Sequence, residues 1–428
     1  MNQFYYYNKL LEQSDRWDRE LLDLLKFDLD KKIYYYGQNF STPIENNINK
    51  NNNLLKHIKT IIKNNLRIVK YIITPKMHKN MNKNIISNAY FTVNSEIANL
   101  GFNVISPPWH GYQKFLLLHL YSFYDNSMKI FHRINDLTFF ELLSDPFKKE
   151  LEDYFRISKE IYNEHFDALV VPFDMPAIEK IAIKTFKEIN KPSFVFLHGL
   201  PGRYNNVDDN RADYLIVWGE MIKNHYINHG VPPDKIFVSG HPYYKTLQKN
   251  ELKFSFDNLL ILTCPTSGIQ HSDYPVSNDR NNSIYYLYSI QSVLQRLGVK
   301  SVRLRTHPSE NGNWYLKYID NNFFNLDKDN LVDSLKNTSL VIGPSSTLLM
   351  ESIYYSVNYI VYNPEFNYIN LSGRKSAPPF DGSDSRLPVA KDEESLYKIL
   401  KDKIMIDSSL WNDYIKTPFD ISFIKELI

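Results

Sequence analysis

Residues 339–363, SLVIGPSSTLLMESIYYSVNYIVYN, contain the pattern that decides the fold. A short apolar run at 339–344 is followed by a helical segment at 346–355 and by a second apolar run at 358–363. Two buried strands that are joined by a helix form a βαβ unit, in which the strands are parallel. The stretch therefore predicts an α/β protein with a parallel sheet.

The same alternation extends outward in both directions along the chain. Further strands are predicted at 166–173, 193–199, 212–219, 235–242, 259–265 and 301–308. Helices are predicted over the first forty residues and at 54–65, 176–189, 281–297 and 393–404. Because sequential βαβ units build one sheet, each series of strands predicts one Rossmann-like domain.

A polar stretch at 248–257 separates the two series of strands. We therefore expect two Rossmann-like domains that face a central cleft, an N-terminal domain over 1–250 with a helical start and a C-terminal domain over 251–405. A tail over 406–428 is expected to pack back on the N-terminal domain. Ligands of such sheets bind at the loops that follow the carboxyl ends of the strands.

Composition excludes several classes of protein. The 428 residues include 50 Lys and Arg against 48 Asp and Glu, a formal net charge of +2, which argues against nucleic acid as a partner. A hydrophobic fraction of 43% excludes a mostly disordered chain. The single cysteine, Cys264, excludes an intramolecular disulfide and a cysteine-based zinc site.

The sequence predicts a cytoplasmic protein without a membrane span. The first residues lack a basic region followed by an apolar one, and the longest apolar stretch, near Phe115–Leu120, is far shorter than the roughly 18 residues of a spanning helix. The segment from Lys50 to Lys83 has nine basic and no acidic residues, and its helix at 54–65 has one apolar face. We favour an ordinary surface helix; peripheral contact with the inner membrane surface is the alternative.

The loop after the strand at 339–344 is the sharpest candidate site. Three hydroxyl residues, Ser345, Ser346 and Thr347, precede the first turn of a helix. Hydroxyl side chains there either bind phosphate oxygens or cap the helix, and the pattern leaves both interpretations open. Glu351, one turn further on, is placed to bond a ribose hydroxyl.

Two histidines follow predicted strands. His307, in Arg305-Thr306-His307-Pro308, is a candidate to stabilise the charge of a leaving phosphate, although His-Pro pairs are also frequent by chance. His198, which precedes Gly199, is a candidate general base toward an acceptor hydroxyl, or else a turn histidine.

Four other segments give weaker signals. The loops at 239–242 and 263–268 either line the cleft or form turns, and His110 belongs to a candidate acceptor-side loop. The acidic pairs at 28–30 and 327–329 have the composition of a metal site, but we favour solvated surface for both.

The order of these motifs resembles bacterial GT-B glycosyltransferases of surface-polysaccharide synthesis. The resemblance covers roughly 160–400. Its motifs are the HG pair at 198–199, DYLIVWGE at 213–220, DKIFVSGHP at 234–242, TCPTSG at 263–268, LRTHP at 304–308 and LVIGPSSTLLMES at 340–352. Two groups share them: the polysialyltransferase and capsule Kdo-transferase group, and the CDP-glycerol glycerophosphotransferase group.

The resemblance implies a role for each matched residue. It implies that Arg305, His307, Pro308 and Thr266 contact the donor, that Ser345, Ser346 and Thr347 bind its phosphates, and that Glu351 meets the ribose. It implies that His198 is the base, with Gly199 on the acceptor side; His110 lies outside the matched region and is an acceptor-side candidate from its own loop alone. No metal or cofactor is implied. The chain departs from the groups in lacking an acidic-acidic-Gly motif and in having Phe196 and Arg203 beside the HG pair.

The sequence thus predicts an inverting, metal-independent glycosyltransferase of capsule or lipopolysaccharide synthesis. It would move a sugar from a nucleotide-activated donor, with a CMP-sugar favoured, to a glycan or lipid-linked acceptor. The alternatives are a polyol-phosphate transferase that uses CDP-glycerol or CDP-ribitol, an NDP-sugar epimerase, and a non-enzymatic glycan-binding module.

Overall fold

The protein is described by a computed structural model. The described residues are 19–38, 82–90, 92–110, 120–201, 211–244, 251–252, 254–263, 280–308, 310, 312–366, 369–370 and 376–428. The predicted helix at 54–65, Cys264 and the predicted donor residue Thr266 lie outside them.

The first sheet has six strands in the order β2-β1-β3-β4-β5-β6. These strands are β1 Asn84–Ser87, β2 Asn103–Ile105, β3 Ala168–Val171, β4 Ser193–Phe196, β5 Tyr214–Val217 and β6 Ile236–Val238. The pairing is parallel, with Ile85 opposite Ala168 and Leu169 opposite Ser193. All four residues of β3 and of β4 are buried, as in a parallel sheet that is covered on both faces.

The second sheet also has six strands, in the order β14-β11-β10-β7-β8-β9. These strands are β7 Leu259–Leu262, β8 Val302–Arg305, β9 Phe324–Leu326, β10 Leu340–Gly343, β11 Asn358–Tyr362 and β14 Val389–Ala390. Leu340 pairs with Leu259 on one side and with Asn358 on the other, in parallel. A short antiparallel pair, β12 Glu365–Phe366 and β13 Ile369–Asn370, stands apart from this sheet.

Helices connect the strands. They are α1 Arg19–Gln38, α2 Val93–Asn99, α3 Tyr121–Asp136, α4 Phe139–Leu142, α5 Asp145–His165, α6 Ala177–Glu188, α7 Glu220–Asn228, α8 Arg280–Arg296, α9 Gly312–Tyr315, α10 Leu331–Lys336, α11 Leu348–Tyr354, α12 Glu393–Lys401, α13 Leu410–Tyr414 and α14 Ile424–Leu427. Parallel strands joined through helices confirm the predicted α/β class with two Rossmann-like sheets, the plan of the GT-B class.

The chain divides into two compact units. The first-sheet unit comprises the described residues up to 198, together with 211–216 and 420–428; the second-sheet unit comprises 199–201 and the described residues of 217–419. The domain boundaries at 250 and 405 and the packing of the tail stay predictions.

Each sheet has a point where the order of its strands reverses. In the first sheet the chain passes from β1 to β2 on one side and then places β3 on the other side of β1. In the second sheet it passes from β7 through β8 to β9 and then returns to place β10 beside β7. Loops at such switch points form the usual ligand crevice of an open α/β sheet.

The acidic pair at 28–30 was predicted to be solvated surface, and for Asp28 this is wrong. Asp28 is 5% exposed, and its Oδ2 accepts the backbone N–H of Ala177 at 2.7 Å. Pro176, the residue that precedes α6, provides no side-chain cap, so an aspartate of α1 satisfies the first free N–H of that helix.

The same expectation is wrong for Asp327. Its side chain is 2% exposed, and its Oδ2 lies 2.7 Å from Arg305 Nη1. Its Oδ1 lies 3.6 Å from Arg303 Nη1. Arg303 and Arg305 occupy alternate positions of β8, so their side chains are on the same face of the strand and both reach this carboxylate. The carboxylate can stay buried because it is paired with two cations.

Among the described residues, no helix is both long enough and apolar enough to cross a bilayer.

Candidate functional site

The second-sheet site begins where β10 ends. Tyr359 Oη donates to the carbonyl oxygen of Pro344 at 2.7 Å and thereby fixes the turn. A Cβ added to Gly343 would lie 2.8 Å from Leu262 Cδ1 and would also collide with the Tyr359 hydroxyl. Glycine at 343 thus permits the close packing of the end of β10 against Leu262 and Tyr359, just before the Ser345-Ser346-Thr347 loop.

Ser345 is held by Asn363, which follows the neighbouring strand β11. Asn363 Nδ2 donates to Ser345 Oγ at 2.9 Å, and the Ser345 N–H lies 3.3 Å from Asn363 Oδ1. Asn363 Nδ2 also lies 3.3 Å from Ser376 Oγ. Because Asn363 uses the acceptor side of the Ser345 hydroxyl, the hydroxyl keeps its own proton to donate.

The helix-capping interpretation holds for Ser346 and not for Thr347. Ser346 Oγ accepts the N–H of Leu348 at 3.2 Å. Thr347 makes no capping bond to α11; its Oγ1 accepts the N–H of Leu200 at 3.1 Å. A Cβ on Gly199 would lie 2.9 Å from that Oγ1, so Gly199 permits this contact within the second-sheet unit.

Glu351 lies one turn into α11. Burial raises the pKa of its carboxyl to about 7, against the opposing effects of its backbone environment and of a hydrogen bond from Tyr244. Its Oε2 is buried and has no hydrogen-bond partner in the described part of the chain. An acceptor oxygen left unsatisfied in this way is costly, and a ligand hydroxyl would satisfy it.

The His307 loop is fixed through Glu310, which sequence analysis did not single out. The His307 N–H lies 3.1 Å from Glu310 Oε2 and 3.0 Å from Thr263 Oγ1, and that threonine hydroxyl itself bonds Glu310. Tyr315 Oη donates to Glu310 Oε1 at 2.5 Å. These bonds hold the backbone while His307 and Pro308 are exposed.

Arg305 occupies a different environment from the one expected of a donor-binding residue. Its Nη1 donates to Asp327 Oδ2 at 2.7 Å and to the carbonyl oxygen of Asp329 at 2.9 Å. The guanidinium therefore links β8 to the segment that follows β9. Donor binding by Arg305 stays a prediction from the sequence.

The first-sheet site is centred on His198, which follows β4. His198 Nδ1 lies 2.9 Å from the carbonyl oxygen of Pro172. A carbonyl oxygen only accepts, so Nδ1 carries the proton and Nε2 of the neutral ring is an acceptor. Burial of the ring lowers the pKa of His198, which the Pro172 carbonyl partly opposes, so the ring is neutral near pH 7.

Aromatic and polar side chains from the adjacent strand ends surround His198. Its ring centroid lies 5.3 Å from that of Tyr90 and 5.7 Å from that of Phe173. His110, which follows β2, has its Nε2 2.9 Å from Asn88 Nδ2. Both predicted histidines of the first half, His110 and His198, are thus at the carboxyl edge of the first sheet.

His241, in the loop at 239–242, is a core histidine and not a site residue. It is fully buried, and its ring packs edge-on against Trp218 at 4.4 Å and stacks on Tyr244 at 4.3 Å. Burial lowers its pKa to about 3. The burial of His241 supports the structural interpretation of this loop.

The chain matches no protein-family model and no curated protein sequence. Solved structures that are similar to it include a UDP-GlcNAc 2-epimerase from Methanocaldococcus jannaschii in complex with UDP-GlcNAc and UDP, at 14% identity and a TM-score of 0.46, over 80% of this chain and 96% of that one. S. aureus MnaA with UDP is similar at 12% identity and a TM-score of 0.45, over 81% and 94%. A variant of the wall teichoic acid polymerase TagF is similar at 13% identity and a TM-score of 0.35, over 62% and 71%.

The described residues hold no cluster of three or more His, Cys, Asp or Glu side chains that fits a metal ion. The residues that sequence analysis missed are Asn88, Tyr90, Phe173, Tyr244, Glu310 and Asn363. Phe173 and Asn363 are the last residues of predicted strands, and the other four belong to no motif that the sequence shows.

Proposed function

We propose that this protein is an inverting, metal-independent glycosyltransferase that moves a sugar from a nucleotide-activated donor, with a CMP-sugar favoured, to the hydroxyl of a glycan acceptor. The second-sheet site would bind the donor, and the first-sheet site would bind and activate the acceptor.

The observation that carries the proposal is the state of His198. The Pro172 carbonyl fixes the tautomer, so Nε2 has a lone pair, and the lowered pKa keeps the ring neutral near pH 7. The residue lies at the carboxyl edge of its sheet, where it keeps solvent-accessible surface although its neighbours desolvate the ring. A general base needs this combination of an available lone pair and access to the substrate. A module that only binds glycans has no need of it.

The donor assignment rests on three groups of the second-sheet unit. Ser345, held by Asn363, has a hydroxyl proton to donate to a phosphate oxygen. Glu351 has a buried carboxyl oxygen for which the described residues supply no partner, and this suits a ribose hydroxyl. His307 stands exposed on a loop whose backbone is fixed by Glu310 and would donate to the leaving phosphate.

The reaction balances with these groups. The acceptor O–H gives its proton to His198 Nε2, and the oxygen forms a bond to the anomeric carbon of the donor. The bond from that carbon to the phosphate oxygen breaks, and its electron pair leaves with the nucleotide. Because the two oxygens are on opposite faces of the carbon, the configuration inverts. Hydrogen-bond donors at Ser345 and His307 stabilise the developing negative charge.

A thermal-shift series with CMP, CDP, UDP, GDP and ADP tests the donor half of the proposal. A ligand at about 100 times its Kd adds roughly 2.7 kcal/mol of stability, which gives a clear rise in Tm. We expect a cytidine nucleotide to raise the Tm of the wild type, Ser345→Ala to abolish the rise and the exposed Ser301→Ala to retain it. No rise with any nucleotide would contradict the proposal.

Product analysis separates the remaining alternatives. Consumption of CDP-glycerol or CDP-ribitol, with CMP-sugars left intact, would indicate polyol-phosphate transfer, with attack at phosphorus. Conversion of a nucleotide-sugar without any acceptor product would indicate an epimerase. The surface-polysaccharide pathway, the cytoplasmic location and membrane contact through 54–65 stay predictions from the sequence.

A further inference from the structure

Three side-chain rings lie together at the point where the strand order of the first sheet reverses, and no sequence motif predicted this group. The order β2-β1-β3-β4 places the reversal between β1 and β3. Tyr90 follows β1 and Phe173 follows β3, and their ring centroids are 6.4 Å apart. His198 follows β4 and completes a group of three rings, each pair within 6.4 Å. Ligands of open α/β sheets bind at this position.

We propose that Tyr90 and Phe173 form an aromatic platform on which a saccharide ring binds. His198 then takes the proton of one hydroxyl of that saccharide. This inference rests on the proposed function and adds the chemical class of the acceptor, which is a neutral pyranose and not a lipid or a polyol phosphate.

The exposure of Tyr90 favours a ligand over core packing. Its side chain is 47% exposed although the ring contacts both Phe173 and His198. A pyranose has one face of C–H groups and a rim of hydroxyls. The C–H face packs on an aromatic ring by dispersion and weak C–H contacts, while the rim stays free for hydrogen bonds.

Polar groups for that rim come from the neighbouring strand ends. The Asn88 side-chain amide lies 2.9 Å from His110 Nε2, so Nδ1 is the ring nitrogen that can hydrogen-bond a sugar hydroxyl. His110 is exposed. An aromatic face together with neutral donors and acceptors is the composition expected of a sugar subsite.

The electrostatic surroundings of Tyr90 argue against an anionic acceptor. Burial is the main cause that raises the pKa of the Tyr90 hydroxyl. A cationic environment, which a phosphate group requires, would lower it. Arg211, which is in the same unit, is paired with the Asp23 carboxylate. A neutral sugar therefore suits the described residues better than a polyol phosphate.

Saturation-transfer-difference NMR tests the inference directly. The probes are methyl β-D-glucopyranoside, methyl β-D-galactopyranoside, methyl N-acetyl-β-D-glucosaminide and sn-glycerol 3-phosphate, each without nucleotide. We expect transfer to the ring C–H protons of at least one glycoside with the wild type and with Tyr90→Phe. We expect about tenfold weaker binding by Tyr90→Ala. Tyr318→Ala, at another exposed tyrosine, should bind as the wild type does.

The same variants separate this inference from the proposed function. Tyr90→Ala should keep the nucleotide-induced rise in Tm, because Tyr90 is outside the donor site. Nucleotide binding without glycoside binding, equal glycoside binding by Tyr90→Ala, or binding of glycerol phosphate alone would overturn the saccharide subsite while leaving the transferase standing. Absence of nucleotide binding would count against the proposed function itself.

Discussion

Glu310 Oε2 accepts the backbone N–H of His307 at 3.1 Å. The same carboxylate bonds the Thr263 hydroxyl at the end of β7, and its Oε1 accepts from Tyr315 at 2.5 Å. One side chain thus ties the loop after β8 to the end of the adjacent strand and to α9. This explains how an exposed histidine can have a fixed backbone.

Glu310→Ala should therefore impair catalysis through the position of His307. Displacement of a catalytic group by about 1 Å costs on the order of 10²-fold, so we expect a fall of that size in kcat. Tyr315→Phe removes one of the bonds to the carboxylate and should have a smaller effect. The measurement is kcat and donor KM for both variants, with exposed Glu152→Ala as the control. The positioning role would be refuted if Glu310→Ala reduced the folded fraction but left the kcat of the folded protein unchanged.

His198 gives a prediction about pH. A base must be unprotonated, and burial lowers the pKa of His198 below its ordinary 6.5. The acid limb of the rate profile should therefore have its midpoint below pH 6.5, with the rate falling as the pH drops. His198→Ala should lower turnover by about 10²-fold or more, whereas the exposed His132→Ala should not. An acid limb with its midpoint above pH 6.5, or full turnover by folded His198→Ala, is the contrary result.

Substitution of Arg305 can distinguish the donor-binding role that the motif predicts from the structural role that its contacts indicate. The motif predicts that Arg305→Ala abolishes nucleotide binding. The contacts to Asp327 and Asp329 predict lower stability with the nucleotide-induced rise in Tm retained. Asp327→Ala should cost more, about 3–5 kcal/mol, because it leaves two arginines without their shared buried partner. Denaturant titration and the thermal shift, measured on both variants, decide between the two.

The sequence predicted the strands whose apolar runs are long enough to stand out, such as β3, β4, β10 and β11. It missed β1, whose two central isoleucines are in an Asn- and Lys-rich stretch, and β9, which has three residues. Site positions at strand ends were predictable because parallel strands end at one edge. The side chains that contact these positions were not predictable, because they are distant in sequence: Asn363 is 18 residues from Ser345, and Tyr90 is 108 residues from His198.

Glu179 gives the last prediction, which concerns stability. It is 3% exposed, with Oε1 3.3 Å from Trp109 Nε1 and Oε2 unpartnered in the described part of the chain. Burial raises its pKa from 4.5 to about 8, so the folded protein holds this proton where the unfolded chain has lost it. Stability from this group is complete below pH 4.5 and is lost as the pH rises toward 8, by about 1.4 kcal/mol per pH unit at most.

Glu179→Gln mimics the protonated acid and removes that loss. We expect it to match the wild type near pH 5 and to exceed it in urea titrations at pH 9, whereas Glu152→Gln should follow the wild type at both. Parallel pH dependence of Glu179→Gln and the wild type would show that Glu179 is ionised in the folded protein.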